Sequence, residues 1–123
     1  MMGLFDNASK VDVTAIAQEY AQILGPGESI EHAYKLVRDM FIFTNFRLIL
    51  VDKQGMTGKK VEYLSIPYKS VIRFAVETAG TFDLDAELKL WTSGMVQPVS
   101  KQFNKAVNIY EVQALLAKYV CCV

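Results

Sequence analysis

The sequence has 123 residues, the size of a single domain, and its 13 basic side chains balance 13 acidic ones. Hydrophobic residues make up 52% and charged residues 21%, which excludes a disordered chain, because disorder goes with low hydrophobicity and high net charge. Zero net charge also argues against general nucleic-acid binding, which normally needs a basic excess.

Neither the apolar runs nor the first residues indicate export or membrane insertion. The apolar runs at 40–43 and 48–51 are far shorter than the roughly 20 residues of a membrane-spanning helix. The first residues lack a basic segment followed by a long apolar core, so no signal peptide is predicted. We therefore expect a cytoplasmic protein. Two adjacent cysteines, Cys121 and Cys122, suggest either a redox or lipidation site or plain surface thiols, and the second interpretation is favoured.

The first periodic pattern is helical. Apolar residues recur between Val13 and Leu24 at the spacing of one helix face, which predicts an N-terminal helix over about 10–24. Ser9 and Asp12 resemble a capping box at its start, and the glycines and proline of 25–27 end it.

From 29 to 103 the pattern changes to strands. About seven short segments are rich in β-branched and aromatic residues and are separated by Gly, Pro or Asp turns. Pro67 ends one strand and Pro98 marks the last as an edge or bulge, because proline cannot donate to a ladder. The clearest alternation, over 82–90, predicts an antiparallel sheet with one dry and one wet face.

The chain closes with a second amphipathic helix over about 106–120, whose apolar stripe begins at Ile109. The order of helix, seven strands and helix predicts one mainly β domain over 1–123, a curled sheet or partly open barrel closed by that helix. Residues 40–43 are apolar on both strand faces, so both faces need cover. Either the N-terminal helix or a second protomer would supply it.

Five segments together resemble the bacterial pleckstrin-homology (PH) domains. They are GE at 27–28, AYKLVRD at 33–39, FTNFRLI at 43–49, DKQGMTGKK at 52–60 and SIPYKSV at 65–71. The resemblance implies a strongly bent, seven-stranded antiparallel sandwich with a C-terminal capping helix, to which the N-terminal helix is an addition. It also implies a cyclic homo-oligomer, often five-fold, that acts as an interaction scaffold for an unknown protein partner.

Charge is distributed unevenly along the chain. Residues 35–60 carry six basic and two acidic side chains, a balance of +4, whereas 1–34 carry one basic and five acidic, a balance of −4. We therefore expect the acidic region of one protomer to attract the basic region of another. The predicted interaction surface consists of Arg38, Arg47, Gln54, Thr57, Lys59 and Lys60. The family resemblance also leaves open an alternative, the binding of inositol phosphate or an anionic membrane by the basic segment; solvated, paired charges are favoured over it.

The remaining candidates for chemistry are weak. The glycines of 55–60 lack the spacing of a P-loop and precede a strand, so a hairpin turn is expected and no cofactor is predicted. His32, the only histidine, shares a strand face with apolar residues, and a catalytic role would require a cleft and a carboxylate beside it. The carboxylates at 83, 85 and 87 favour a solvated strand face over a metal site, and Trp91 shares that face as a candidate interface anchor. We therefore predict a protein without enzymatic activity or a bound metal.

Overall fold

The computed structural model describes residues 10–36, 38–78 and 85–122. They belong to two compact units, the first reaching Ile66 and the second beginning at Pro67. Within the described residues, seven strands form two antiparallel sheets, of four and three strands, and a helix follows the last strand. The predicted mainly β class with an N-terminal helix and a C-terminal helix is confirmed.

The first unit contains one helix and a four-stranded sheet. Helix α1 spans Val13–Glu19 and is followed by a 3-10 turn at Ala21–Ile23. The strands, in the spatial order β1-β2-β3-β4, are β1 (Ile30–Lys35), β2 (Met40–Thr44), β3 (Arg47–Gln54) and β4 (Lys60–Pro67). Strand β2 is central and pairs antiparallel with both β1 and β3, so it is hydrogen-bonded along both edges.

Helix α1 covers one face of this sheet. Asp12 is its N-cap and accepts a hydrogen bond from the Thr14 backbone N–H at 3.0 Å, so the α-helix begins later and is shorter than the predicted 10–24. Ser9, the other residue of the predicted capping box, lies outside the described residues. Ile16 and Tyr20 pack in one core cluster with Ile42 and Ile49. Of the two covers considered for the apolar strand β2, the N-terminal helix therefore protects the Ile42 face. All five β2 residues are buried within a single chain, so its apolar run does not require a second protomer.

The second unit contains the three-stranded sheet and the C-terminal helix. After a 3-10 turn at Tyr68–Ser70 come β5 (Val71–Glu77), β6 (Ala86–Thr92) and β7 (Val99–Phe103), in that spatial order. Along β6, Ala86, Leu88 and Leu90 are buried and the residues between them are partly exposed. This confirms the predicted alternation from residue 86 onward; its first part, 82–84, lies outside the described residues.

Helix α2 spans Ile109–Leu116 and continues as a wider π turn over Ala117–Cys121. The Asn108 side chain caps its start by accepting from the Tyr110 backbone N–H at 3.1 Å. Its apolar stripe is buried at Ile109, Val112 and Leu116. The end of the helix is fixed within this unit by an aromatic stack, because the Tyr119 ring lies 4.7 Å from the Tyr68 ring at an interplanar angle of 19°.

Candidate functional site

The β3–β4 hairpin presents most of the predicted interaction surface. Its loop turns through Gly55 and Gly58, whose φ angles of +77° and +69° favour glycine because it has no Cβ. Thr57, Lys59 and Lys60 are exposed, and Met56 at the loop is exposed over its whole side chain. The loop therefore exposes the thioether of Met56 together with the hydroxyl of Thr57 and the two lysine ammonium groups that follow it.

Arg38 joins this hairpin from the turn between β1 and β2. Its Nη2 donates a hydrogen bond to the carbonyl oxygen of Gly55 at 2.5 Å. Next to it, the Asp39 carboxylate accepts from the Lys53 backbone N–H at 3.1 Å, which ties the same turn to the end of β3. The structure thus brings five of the six predicted surface residues to one end of the sheet: Arg38, Gln54, Thr57, Lys59 and Lys60.

Arg47, the sixth predicted residue, lies at the other end of β3. Gln54 is seven positions further along the chain, which corresponds to about 23 Å of extended strand. All three nitrogens of the Arg47 guanidinium donate hydrogen bonds within the first unit. Nε and Nη2 each donate to the Glu28 carboxylate at 2.8 Å. Nη2 also donates to the Ile23 carbonyl oxygen, and Nη1 donates to Ser65 Oγ, both at 2.6 Å. The Arg47 side chain therefore fastens the segment after α1 to the sheet.

The partner of Arg47 is a buried carboxylate. The Glu28 side chain is only 1% exposed, and it also accepts hydrogen bonds from the Gly25 backbone N–H and the Thr44 hydroxyl. The hydrogen bonds from Arg47 lower the pKa of Glu28 from 4.5 to about 2, against the opposing effect of burial. Sequence reasoning used Glu28 only in the family resemblance and the charge balance and assigned it no partner, because a charged residue before a strand carries no signal of a contact 19 positions away.

Strand β4 forms an outer edge of the four-stranded sheet. It is eight residues long, and only Ile66 within it is buried. Tyr63 is 47% exposed and Leu64 is 37% exposed, on opposite faces of the strand. The Tyr63 ring contacts the Tyr20 ring edge-on, with the two centroids 6.4 Å apart, so the Tyr63 side chain packs in part against its own unit. A long edge with exposed apolar side chains readily accepts another strand.

The polar face of the second sheet is internally paired. Lys89 forms a short ion pair with Glu77 and lies 3.9 Å from Glu87, whose carboxylate accepts from the Ser100 hydroxyl at 2.5 Å. Of the predicted carboxylate row, residue 83 lies outside the described residues. Within 10–36, 38–78 and 85–122, no three His, Cys, Asp or Glu side chains form a group suited to a metal ion.

Trp91 lies on this polar face, as its parity predicts. The Arg73 guanidinium stacks over the Trp91 ring with its central carbon 4.6 Å from the ring centroid. The two residues are directly opposite in the pairing of β5 with β6. The indole is partly exposed, so the stack forms part of the surface of the second unit.

His32 and the cysteines complete the candidate groups. His32 on β1 is half-buried, and its ring meets the Phe43 ring edge-on at 6.3 Å. Cys121 and Cys122 are both free thiols and both exposed. In the described part of the chain, no helix combines the length and the apolar character needed to cross a membrane.

Comparisons with known proteins agree on one family. A family model described as "Bacterial PH domain" matches residues 1–120. The uncharacterized protein YjqA of Bacillus subtilis (strain 168) is 60% identical over 116 residues, which cover 94% of this chain and 93% of that protein.

Two solved structures have the same fold at high sequence identity. A DUF1696 family protein with a pleckstrin-homology domain from Shewanella loihica PV-4 is 51% identical, with a TM-score of 0.82 over 91% of this chain and 96% of that one. A pleckstrin-homology domain from Shewanella amazonensis SB2B is 54% identical, with a TM-score of 0.82 over 93% of this chain and 92% of that one.

Proposed function

Because the chain belongs to the bacterial PH domain family, we propose that it is a non-enzymatic, cytoplasmic module that assembles into a cyclic homo-oligomer and acts as a scaffold for a protein partner. The observation that carries this proposal is the outer edge of β4, with Tyr63 and Leu64 exposed on its two faces. An edge of this kind is an aggregation hazard in an isolated domain unless it is covered. In the assembly, a second copy of the chain covers this β4 edge.

The charge distribution of the sequence favours an interface between unlike surfaces. Residues 1–34 have a balance of −4 and residues 35–60 a balance of +4, so unlike regions of two copies attract each other. An interface between two different surfaces of the same chain propagates from copy to copy. It closes into a ring when the rotation between neighbours is a full turn divided by a whole number, with no shift along the axis. A closed ring, five-fold as the family resemblance implies, covers every β4 edge.

The scaffold role rests on the end of the first sheet that holds Arg38, Gln54, Thr57, Lys59 and Lys60. A ring repeats this surface once per protomer. A partner with several acidic or polar segments then gains affinity from simultaneous contacts, because the later contacts are intramolecular. Arg47 lies outside this surface, at the other end of β3, where its guanidinium is bound to Glu28.

The test compares the molecular mass of three purified proteins by size-exclusion chromatography with light scattering at micromolar concentration. The wild type should elute as a single multimer. Tyr63→Glu combined with Leu64→Glu should shift the protein to a monomer, because charges then line the β4 edge. Tyr110→Glu is the matched control, since Tyr110 is 65% exposed on α2 and far from β4 in sequence. A multimer that survives the double substitution would exclude β4 as the interface.

A second candidate function is the binding of an anionic membrane surface by the same hairpin. Met56, exposed over its whole side chain, follows Gly55 at the loop, and Lys59 and Lys60 come next along it. An apolar tip beside cations is a typical contact for anionic headgroups, each nearby cation contributing about 1 kcal/mol.

Co-sedimentation with vesicles of phosphatidylserine and phosphatidylcholine tests this candidate. Binding should decrease with added salt and be lost in Lys59→Glu with Lys60→Glu. Lys69→Glu with Lys105→Glu is the control, because it makes the same charge change in the second unit. Competition by inositol hexakisphosphate separates headgroup recognition from general attraction to a charged bilayer. Equal sedimentation of both variants with the wild type would refute this function.

A further inference from the structure

The two cysteines of the chain are placed side by side on the surface. Cysteine is among the residue types most often buried, yet Cys121 and Cys122 are both exposed and both free. Cys121 is the last residue of the π turn, and Cys122 has extended backbone angles, with φ −92° and ψ 108°. The stack of Tyr119 on Tyr68 holds the end of the helix two residues before the first thiol. The two thiols are therefore exposed on adjacent residues at an anchored helix end.

Their adjacency determines which chemistry the two thiols favour. The Cα atoms of neighbouring residues are about 3.8 Å apart across a trans peptide, whereas disulfides usually need about 4.4–6.8 Å. A disulfide between the two is consequently strained, so the pair resists oxidation to an internal disulfide. A bridging atom with long bonds to sulfur relieves this strain, because it adds a member to the ring that the two side chains close. The number of ligands also matters: two thiols are too few for a tetrahedral zinc site.

We propose that Cys121 and Cys122 form a vicinal dithiol site for a soft, thiophilic centre that takes two thiolate ligands, of the class of monosubstituted trivalent arsenicals. In the binding step, the two hydroxyl groups on arsenic leave as water after taking the two thiol protons, and two As–S bonds form. Arsenic stays trivalent, and no oxidant or reductant takes part. Soft thiolate ligands select soft centres over hard cations such as Mg²⁺ or Ca²⁺.

The experiment uses phenylarsine oxide as the probe on the reduced, full-length chain. Intact mass spectrometry should show one phenylarsenic group per chain, with both thiols then resistant to alkylation by iodoacetamide. Cys121→Ser and Cys122→Ser each leave one thiol and are the matched variants. Ethanedithiol then competes for the bound phenylarsenic group. It should release this group from each single variant at a concentration at least about tenfold lower than from the wild type, where the second As–S bond is intramolecular.

Two results would overturn the proposal. The first is the uptake of two phenylarsenic groups per chain, which would show that the thiols react independently. The second is equal retention of the probe by the wild type and either single variant. Both thiols are exposed, so the serine substitutions should leave thermal unfolding unchanged, and a measured unfolding curve checks this.

Discussion

Replacing Glu28 by glutamine removes the negative charge from the buried contact that joins the segment after α1 to the sheet. In the wild type, the carboxylate is 1% exposed and the Arg47 guanidinium lies across it, with its Nε at 2.8 Å. Glu28→Gln nearly keeps the size and shape of the side chain and abolishes its charge. The substitution therefore separates the effect of the ion pair from that of the packing around it.

The magnitude follows from the pKa of Glu28, which the hydrogen bonds from Arg47 lower from 4.5 to about 2. At about 1.36 kcal/mol for each pKa unit, the charged form contributes about 3 kcal/mol to the free energy of unfolding at neutral pH. Because the folded pKa lies below the unfolded one, this contribution is complete above pH 4.5 and is lost as the pH falls towards 2. Roughly 1.4 kcal/mol of it remains at pH 3.

Urea unfolding followed by far-ultraviolet circular dichroism, at one fixed protein concentration, measures the effect. Glu28→Gln should unfold with a free energy about 3 kcal/mol below the wild type at pH 7, and the difference should be about half as large at pH 3. Glu31→Gln on β1, an exposed position, is the control and should change the free energy by less than about 0.5 kcal/mol. A difference that is the same at both pH values would refute the assignment to the Glu28 charge.

Three further substitutions test local features of the fold. Gly58→Ala should lower the free energy of unfolding by about 1 kcal/mol in urea titrations, since its φ is +69°, whereas Gly25→Ala, whose added Cβ has no neighbour closer than 3.8 Å, should be tolerated. Asn108→Ala should cost about 1 kcal/mol in thermal unfolding, because α2 loses its N-cap, and an unchanged midpoint would contradict the cap. Arg73→Ala should alter the fluorescence emission of Trp91, the single tryptophan, and an unchanged spectrum would argue against the stack.

The fold follows from local patterns to a large extent. Alternation at Ala86, Leu88 and Leu90 predicts which side of β6 is buried, because the side-chain period of a strand is two. The apolar run of β2 shows that both of its faces are covered, but the sequence does not specify what covers them. That choice depends on where α1 packs in three dimensions, and the structure places it on the Ile42 face.

The candidate site is predictable only where its residues are neighbours in the chain. Gln54, Thr57, Lys59 and Lys60 share one hairpin, so turn signals suffice to group them. The prediction groups Arg47 with them on charge alone, and its engagement by Glu28 depends on a pairing across 19 residues that no local pattern encodes. Long-range partners of charged side chains are fixed by strand register and loop path, which are properties of the folded chain.

The mass of the protein in solution tests the central claim most directly. The proposed assembly predicts a single species well above the 13.8 kDa of one chain, by light scattering at micromolar concentration and physiological salt. Its mass should be a whole multiple of the chain mass and should stay constant on dilution across the micromolar range, because a closed ring has no free ends. A monodisperse particle of 13.8 kDa would contradict the proposed assembly, because the β4 edge would then be uncovered in solution.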